Sequence, residues 1–172
     1  MFTVTTERPE DRVAIDLLLD RAFGPGRMRK MSYRFRDGVD PIANLQLVAR
    51  DEQGTVLGTV RCWPIAVGAT RAPAVLLGPI AVEPALKGQG IGAALMFAAL
   101  DMAAWAGHRL VLLVGDLDYY RRFGFVPAAP LGYAMPGEKP HRLLVNALDP
   151  SALAEVRGVL QPAAALYRKS AA

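Results

Sequence analysis

Apolar and polar positions alternate at the start of the chain, then recur at helical spacing, then alternate again through successive runs. Phe2 to Thr6 predicts a short edge strand. Pro9 marks a helix start, and Glu10 and Asp11 suit the first turn of its dipole. Val13 and Leu17, with Ile15, Leu18 and Leu19 on the adjacent face, give this helix a broad apolar stripe. Gly24, Pro25 and Gly26 stop it near Phe23. A second short helix is expected over Arg27 to Arg36. Asn44 to Arg50 alternates as a strand, Asp51 to Gly54 is a hairpin turn, and Thr55 to Val67 is a longer strand. Pro64 within it suggests an edge or a bulge. After a turn at Gly68 to Pro73, Ala74 to Val82 is the central strand, broken locally at Gly78-Pro79. Short turns between these strands predict an antiparallel meander.

The pattern changes at Lys87 to Gly92, a glycine-rich turn. Gly90 to Ala106 follows as a helix, with Ile91, Leu95, Ala98, Met102 and Trp105 expected on its core stripe and Gly107 as its stop. Arg109 to Gly115 is nearly all apolar, as in a strand buried on both faces. The strand–helix–strand unit from Leu76 to Gly115 is therefore expected to be parallel and right-handed. Leu117 to Arg122 is a short helix ending at Gly124, and Pro127 to Pro140 is irregular. Arg142 to Leu148 is a strand, Ser151 opens a brief helix, Val156 to Leu160 is a last strand, and Lys169 to Ala172 frays. The fold class is thus a mixed α/β sheet, the meander coming first and the parallel β-α-β unit second.

A chain of 172 residues with 52% apolar content makes one globular domain, 1–172, the expectation. No apolar run reaches the roughly 18 residues of a membrane span, and MFTVTTERPEDR lacks the pattern of a signal peptide. A cytoplasmic protein is expected. Cys62 is the sole cysteine, so an internal disulfide is excluded and no metal is expected. Without a neighbouring histidine it reads as a packing thiol. A net charge of +4 suits an anionic ligand but does not choose one.

The candidate chemistry begins with Gly88, Gly90 and Gly92. Alternating glycines before a helix leave backbone N–H groups bare, and the helix N-terminus adds partial positive charge, which favours phosphate. The plainer alternative is a flexible loop. Gly88, Gly90 and Ala93 also fit the dinucleotide fingerprint, with Asp116 about a strand later. Against that, Glu83 to Lys87 separate the glycines from the strand, and hairpins precede the unit. The basic run Arg27, Arg29, Lys30, Arg34 and Arg36 is either a solvated face with its interleaved apolar residues turned inward or a set of cations that approaches an anion. It carries no RNA-module signature, so no nucleic acid partner is expected. His108 and His141 are isolated, and neither makes a base by spacing.

Lys87, Gly88, Gln89, Gly90, Ile91 and Gly92, between a strand and a helix, resemble the Arg/Gln-x-x-Gly-x-Gly/Ala motif of the GCN5-related N-acetyltransferase (GNAT) superfamily, with Lys in first place. YYRRFGF resembles that family's second signature, a Tyr four residues before Gly-Phe. The wording of VLLGPIAVEPALKGQGIG and GDLDYYRRFGF is similar to its YhbS-like branch. The resemblance implies a GNAT fold with splayed central strands, and acetyl-CoA as co-substrate of an N-acetyltransferase acting directly on a primary amine. It implies pyrophosphate contacts from Lys87 to Gly92 and backbone contacts from Ile80, Ala81 and Val82 along a bulged strand. Tyr120 becomes the candidate donor to the departing thiolate, against the alternative of a packing tyrosine. Tyr119 is substrate wall or core. Glu83 and Asp116 are the candidate proton relays, although a residue in the position of Glu83 is more often solvated, and Asp116 more readily orders the turn before Tyr119 or binds the acceptor's ammonium. The acceptor is a small-molecule or peptide amine, no membrane partner is expected, and a homodimer is compatible. A non-catalytic acyl-CoA-binding or partner-binding domain of the same fold is the alternative.

Overall fold

The computed structural model describes residues 1–29 and 31–164. Lys30 of the basic run and the expected fraying of Lys169 to Ala172 lie outside the described residues. In chain order the strands are β1 (Phe2–Thr6), β2 (Gln46–Asp51), β3 (Val56–Val67), β4 (Ala72–Val82), β5 (Leu110–Val114), β6 (Val126–Pro127), β7 (Tyr133–Ala134), β8 (Leu143–Ala147) and β9 (Gly158–Pro162). The helices are α1 (Arg12–Phe23), α2 (Met31–Arg34), α3 (Ile91–Trp105), α4 (Leu117–Tyr120) and α5 (Ala152–Glu155). The described residues form two compact units, one from residues 1–29, 41–62 and 77–106, the other from 31–40, 63–76 and 107–164.

In the first unit, β1 and β2 pair antiparallel, as do β2 and β3, with a register shift between Ala49 and Arg50. The end of β4 joins β3, where the Glu83 N–H donates to the Leu57 carbonyl at 2.8 Å. Period-2 alternation assigns the two faces of this sheet. Ala49 lies opposite Gly58, and Leu47 opposite Val60. A Cβ at Gly58 would sit 3.0 Å from Ile91 Cγ2 and Leu95 Cδ1, so α3 covers that face. Val48 points the other way and packs with Ile15, Leu18 and Leu19 of α1 and with Ala81. Two helices therefore cover opposite faces of one sheet.

The expected helix stripes need correction. Val13 and Leu17 are 71% and 54% exposed, whereas Ile15, Leu18 and Leu19 are buried. At about 100° per residue, Val13 and Leu17 fall on the far side of α1 from Ile15. In α3 the buried residues are Ile91, Leu95, Met96, Ala99, Leu100 and Ala103, and Trp105 is 92% exposed. The buried arc is thus rotated from the expected one. This helix is apolar on almost every side, so periodicity gives no direction. Asp101, its one charged residue, lies opposite the centre of the buried arc and marks the outer face.

A buried ion pair ties the entry of α1 to β2. Arg50 Nη1 donates to Asp11 Oδ1 at 2.8 Å, Arg50 Nη2 donates to Asp11 Oδ2, and the Arg8 N–H donates to Oδ2 at 2.7 Å.

In the second unit the strand order is β7–β9–β3–β4–β5–β8–β6. The β4–β5 pairing is parallel, as expected, but covers only Val75 with Val111 and Leu76 with Leu112. β5 and β8 run antiparallel over their whole length. The core gathers Ile65, Val67, Leu76, Leu110, Leu112, Tyr133, Val145 and Leu160, among others. Pro64 precedes the first β9 pair, at Ile65, so its missing N–H removes no bond from that ladder. The stretch expected to be irregular, Pro127 to Pro140, contains β7 and the end of β6, each strand two residues long and too short to show alternation. Among the described residues no helix is long and apolar enough to cross a membrane.

Candidate functional site

β4 leaves the sheet through a 3-10 turn at Pro84–Leu86 and reaches the glycine-rich turn. Gly88 and Gly90 have φ of +89° and +82°. A Cβ at either would meet nothing, so the requirement there is conformational rather than steric. Gly90 caps α3 without a side-chain hydrogen bond, and the first helical bond runs from the Ala94 N–H to the Gly90 carbonyl at 3.0 Å. The N–H groups of Gly88, Gly90, Ile91, Gly92 and Ala93 accordingly have no acceptor among the described residues. Ile91 is buried against Gly58 and anchors the turn from below. The Lys87 side chain is exposed, and its N–H is taken by the Pro84 carbonyl at 3.3 Å. The Gln89 N–H is likewise taken, by Leu86 at 3.3 Å. The result is a cluster of free donors at a helix N-terminus, which favours an anion.

Immediately before it, Gly78 has φ of +125° and Gly78-Pro79 is a cis peptide bond. Ala81 is buried toward α1, whereas Ile80 and Val82 are half-buried. The Glu83 carboxylate is engaged: Arg21 Nε reaches both its oxygens at 3.2 Å, and Nη2 donates to Oε2 at 2.9 Å. Arg21 lies 62 residues upstream on α1. No local spacing signals such a partner, and the sequence reading missed it.

The second unit carries the tyrosines. β5 ends before Gly115, and the Asp116 carbonyl accepts the N–H groups of Tyr119 and Tyr120 at 3.0 and 3.1 Å. Asp116 orders that turn through its backbone; its side chain is exposed and makes no capping bond. The Tyr120 ring meets Tyr119 edge-on with centroids 4.9 Å apart, and Phe125 at 6.0 Å and Phe123 at 6.5 Å. Gly124 turns the chain with φ of +86°, braced by an Asn146 Nδ2 hydrogen bond to the Phe123 carbonyl at 2.8 Å. The Tyr120 hydroxyl has no hydrogen-bond partner among the described residues. Burial pushes its pKa up to about 12, the neighbouring Tyr119 adds to this, and the positive charge of Arg142 works against it. Tyr120 is thus a neutral hydroxyl with a free proton.

Tyr119 is 37% exposed, with the Arg122 guanidinium 4.9 Å above its ring. His108 is half-buried and its pKa is lowered by burial, while His141 is exposed. Cys62 is buried. The basic run divides. Arg27 pairs with Asp20 at 2.7 Å and Asp16 at 3.5 Å, and Arg36 is buried with its guanidinium 4.4 Å from the Tyr33 ring.

Comparison with known proteins agrees with these features. Residues 43–127 match the model of the acetyltransferase (GNAT) domain. An uncharacterised N-acetyltransferase of Escherichia coli K12, YhbS, is 34% identical over 152 residues, covering 85% of this chain and 90% of that protein. The crystal structure of E. coli YhbS in complex with CoA superposes with a TM-score of 0.82 at 32% identity, covering 97% of this chain and 92% of that one. A GNAT family acetyltransferase of Brucella melitensis, in complex with acetyl-CoA, gives 0.67 at 31% identity, covering 87% and 90%. With a glycine-rich donor row before a helix and a half-buried, neutral tyrosine before a Gly-Phe corner, the chain belongs to the GCN5-related N-acetyltransferase family, alongside YhbS.

Proposed function

We propose that this protein transfers the acetyl group of acetyl-CoA directly to a primary amine, with residues 1–172 as one catalytic domain. The observation that carries the proposal is the set of N–H groups at Gly88 and at Gly90 to Ala93 that have no acceptor among the described residues, held by two left-handed glycines. It fits a pyrophosphate, and the CoA and acetyl-CoA bound by the E. coli and Brucella relatives supply that group. Lys87, Gly88, Gln89, Gly90, Ile91 and Gly92 form the pyrophosphate seat. The backbone of Ile80, Ala81 and Val82 takes the pantetheine arm, and an N–H there polarises the thioester carbonyl.

Tyr120 donates a hydrogen bond to the departing sulfur. Full proton transfer from a phenol near 12 to a thiolate near 8.5 is uphill by roughly 5 kcal/mol. Donation comes first, and the proton finally drawn is that of the new ammonium product. Glu83 and Asp116 remain the relay candidates. The Arg21 clamp argues for Glu83 as a brace at the mouth of the turn, which leaves exposed Asp116 to receive the acceptor's ammonium. The acceptor is a small-molecule or peptide amine, and the protein works in the cytoplasm, as a monomer or a homodimer.

The test is calorimetric titration with acetyl-CoA, with NAD as the control, followed by thiol release over polyamines, amino acids, aminoglycosides and lysine peptides. Saturable binding of acetyl-CoA alone is expected. Tyr120→Phe should reduce turnover well beyond any change in acetyl-CoA affinity. Binding of NAD instead sinks the assignment, whereas thiol release unchanged by Tyr120→Phe removes Tyr120 from its role. Acetyl-CoA binding without turnover on any amine would favour a non-catalytic binding domain.

A further inference from the structure

The Tyr120 ring rests on a bare α-carbon. A Cβ built on Gly115 would lie 2.2 Å from Tyr120 Cε2 and 2.7 Å from Cδ2, with Leu113 Cδ1 at 3.1 Å behind it. Gly115 does not sit in the left-handed region, so its backbone is open to any residue. What requires glycine there is the ring alone. The other walls are Tyr119, Phe123 and Phe125. The hydroxyl makes no hydrogen bond with the described residues, so the position of the phenol is set by packing. The floor of that packing is a strand end, fixed where the Gly115 N–H donates to the Arg142 carbonyl at 2.9 Å, one step beyond the Val114–Leu143 pair. Directly opposed residues of an antiparallel ladder share a face. Arg142 therefore stands on the same face as the ring, and its positive charge offsets part of the effect of burial on the phenol.

We infer that Gly115 is the positioning residue for Tyr120, leaving at the end of β5 the space that sets where the phenol hydroxyl points. The inference rests on Tyr120 serving turnover, as proposed above. An alanine at position 115 forces the ring back by about 1 Å to reach ordinary contact. A displacement of that size at a reacting group lowers turnover roughly tenfold to a hundredfold. It leaves the pyrophosphate seat untouched.

The experiment compares wild type, Gly115→Ala, Tyr120→Phe and the double variant. Each is labelled with 3-fluorotyrosine for 19F NMR and assayed by thiol release with the best amine of the panel above. Acetyl-CoA affinity is measured by calorimetry, and a cooperative melt verifies folding. Gly115→Ala should move the Tyr120 resonance, identified by its loss in Tyr120→Phe, and lower kcat tenfold or more. Acetyl-CoA affinity should stay within about twofold. The double variant should be no slower than the worse single one. An unmoved Tyr120 resonance and unchanged kcat in Gly115→Ala, with Tyr120→Phe still slow, would overturn the seat and leave the role of Tyr120 standing. A moved resonance with full turnover in both Gly115→Ala and Tyr120→Phe would overturn the inference by removing the role of Tyr120 itself. If Gly115→Ala fails to fold, Tyr120→Ala is added to it: a restored cooperative melt supports the ring as the occupant of that space, and a chain that still fails to fold overturns the seat.

Discussion

Asp11→Asn offers a strict test of how the first unit is held. The Asp11 and Arg50 residues are 5% and 9% exposed, so both charges are removed from water. Each Asp11 oxygen faces donors: Arg50 Nη1 on Oδ1, and Arg50 Nη2 with the Arg8 N–H on Oδ2. An asparagine amide turned either way sets its NH2 against one of them and leaves the guanidinium without its counter-charge. Breaking a buried pair from one side costs about 3–5 kcal/mol. For a chain of this length about 3 kcal/mol is a melting temperature lower by roughly 6–12 °C. Urea titration should show the midpoint fall with an unchanged slope. The Arg50 hydrogen bonds, and then the Arg8 N–H, hold the Asp11 carboxyl below its ordinary value against the opposing effect of burial. A lowered carboxyl contributes stability that is present above the unfolded value, near pH 4, and is lost as the pH falls through the folded value. The wild type should therefore lose its advantage over Asp11→Asn in acid. Asp11→Leu combined with Arg50→Met should recover much of the loss, because an apolar pair leaves no buried charge. A loss under about 1 kcal/mol in Asp11→Asn, or a double variant as unstable as the sum of the singles, would refute the reasoning.

Three further outcomes are expected. Gly90→Ala forces a side chain into the left-handed region at a strain of about 1–2 kcal/mol, so calorimetry should show acetyl-CoA binding weakened roughly 5- to 30-fold, the thermal midpoint shifting by only a few degrees. Because Tyr120 stays protonated to about pH 12, turnover should show no basic decline between pH 8 and 10 that disappears in Tyr120→Phe. Arg21→Met removes an exposed ion pair, so stability by urea titration should change by less than about 1 kcal/mol; a large loss of turnover with unchanged acetyl-CoA affinity would restore Glu83 to the chemistry.

The glycine turn and the tyrosine corner were legible in the sequence because each is local. A left-handed glycine before a helix and a Gly-Phe stop leave their mark within six residues. The parallel β4–β5 pairing was legible for the same reason, since one helix joins the two strands. What was not legible depends on which way an element faces. Trp105 and Leu17 are apolar and lie at plausible core spacing, yet both are exposed. In α3 only Asp101 reported the direction, and one polar residue weighs little in a periodicity. Arg21, on Glu83, and Gly115, beneath Tyr120, were invisible for a different reason. Each acts on a residue that only the folded chain brings beside it, and a glycine ending a strand otherwise reads as punctuation.

The outward turn of α3 also divides the optical signals of the molecule. Trp105 is 92% exposed, and so emits as a solvated indole whether the chain is folded or not. Trp63, the only other tryptophan, packs against the core of the second unit. A change in tryptophan emission on unfolding is therefore a report from the second unit, while the first, which holds the glycine turn, is silent in that channel. Replacing Trp105 with phenylalanine would leave a single-tryptophan protein with a dark background, in which loosening of the tyrosine-bearing unit can be followed alone.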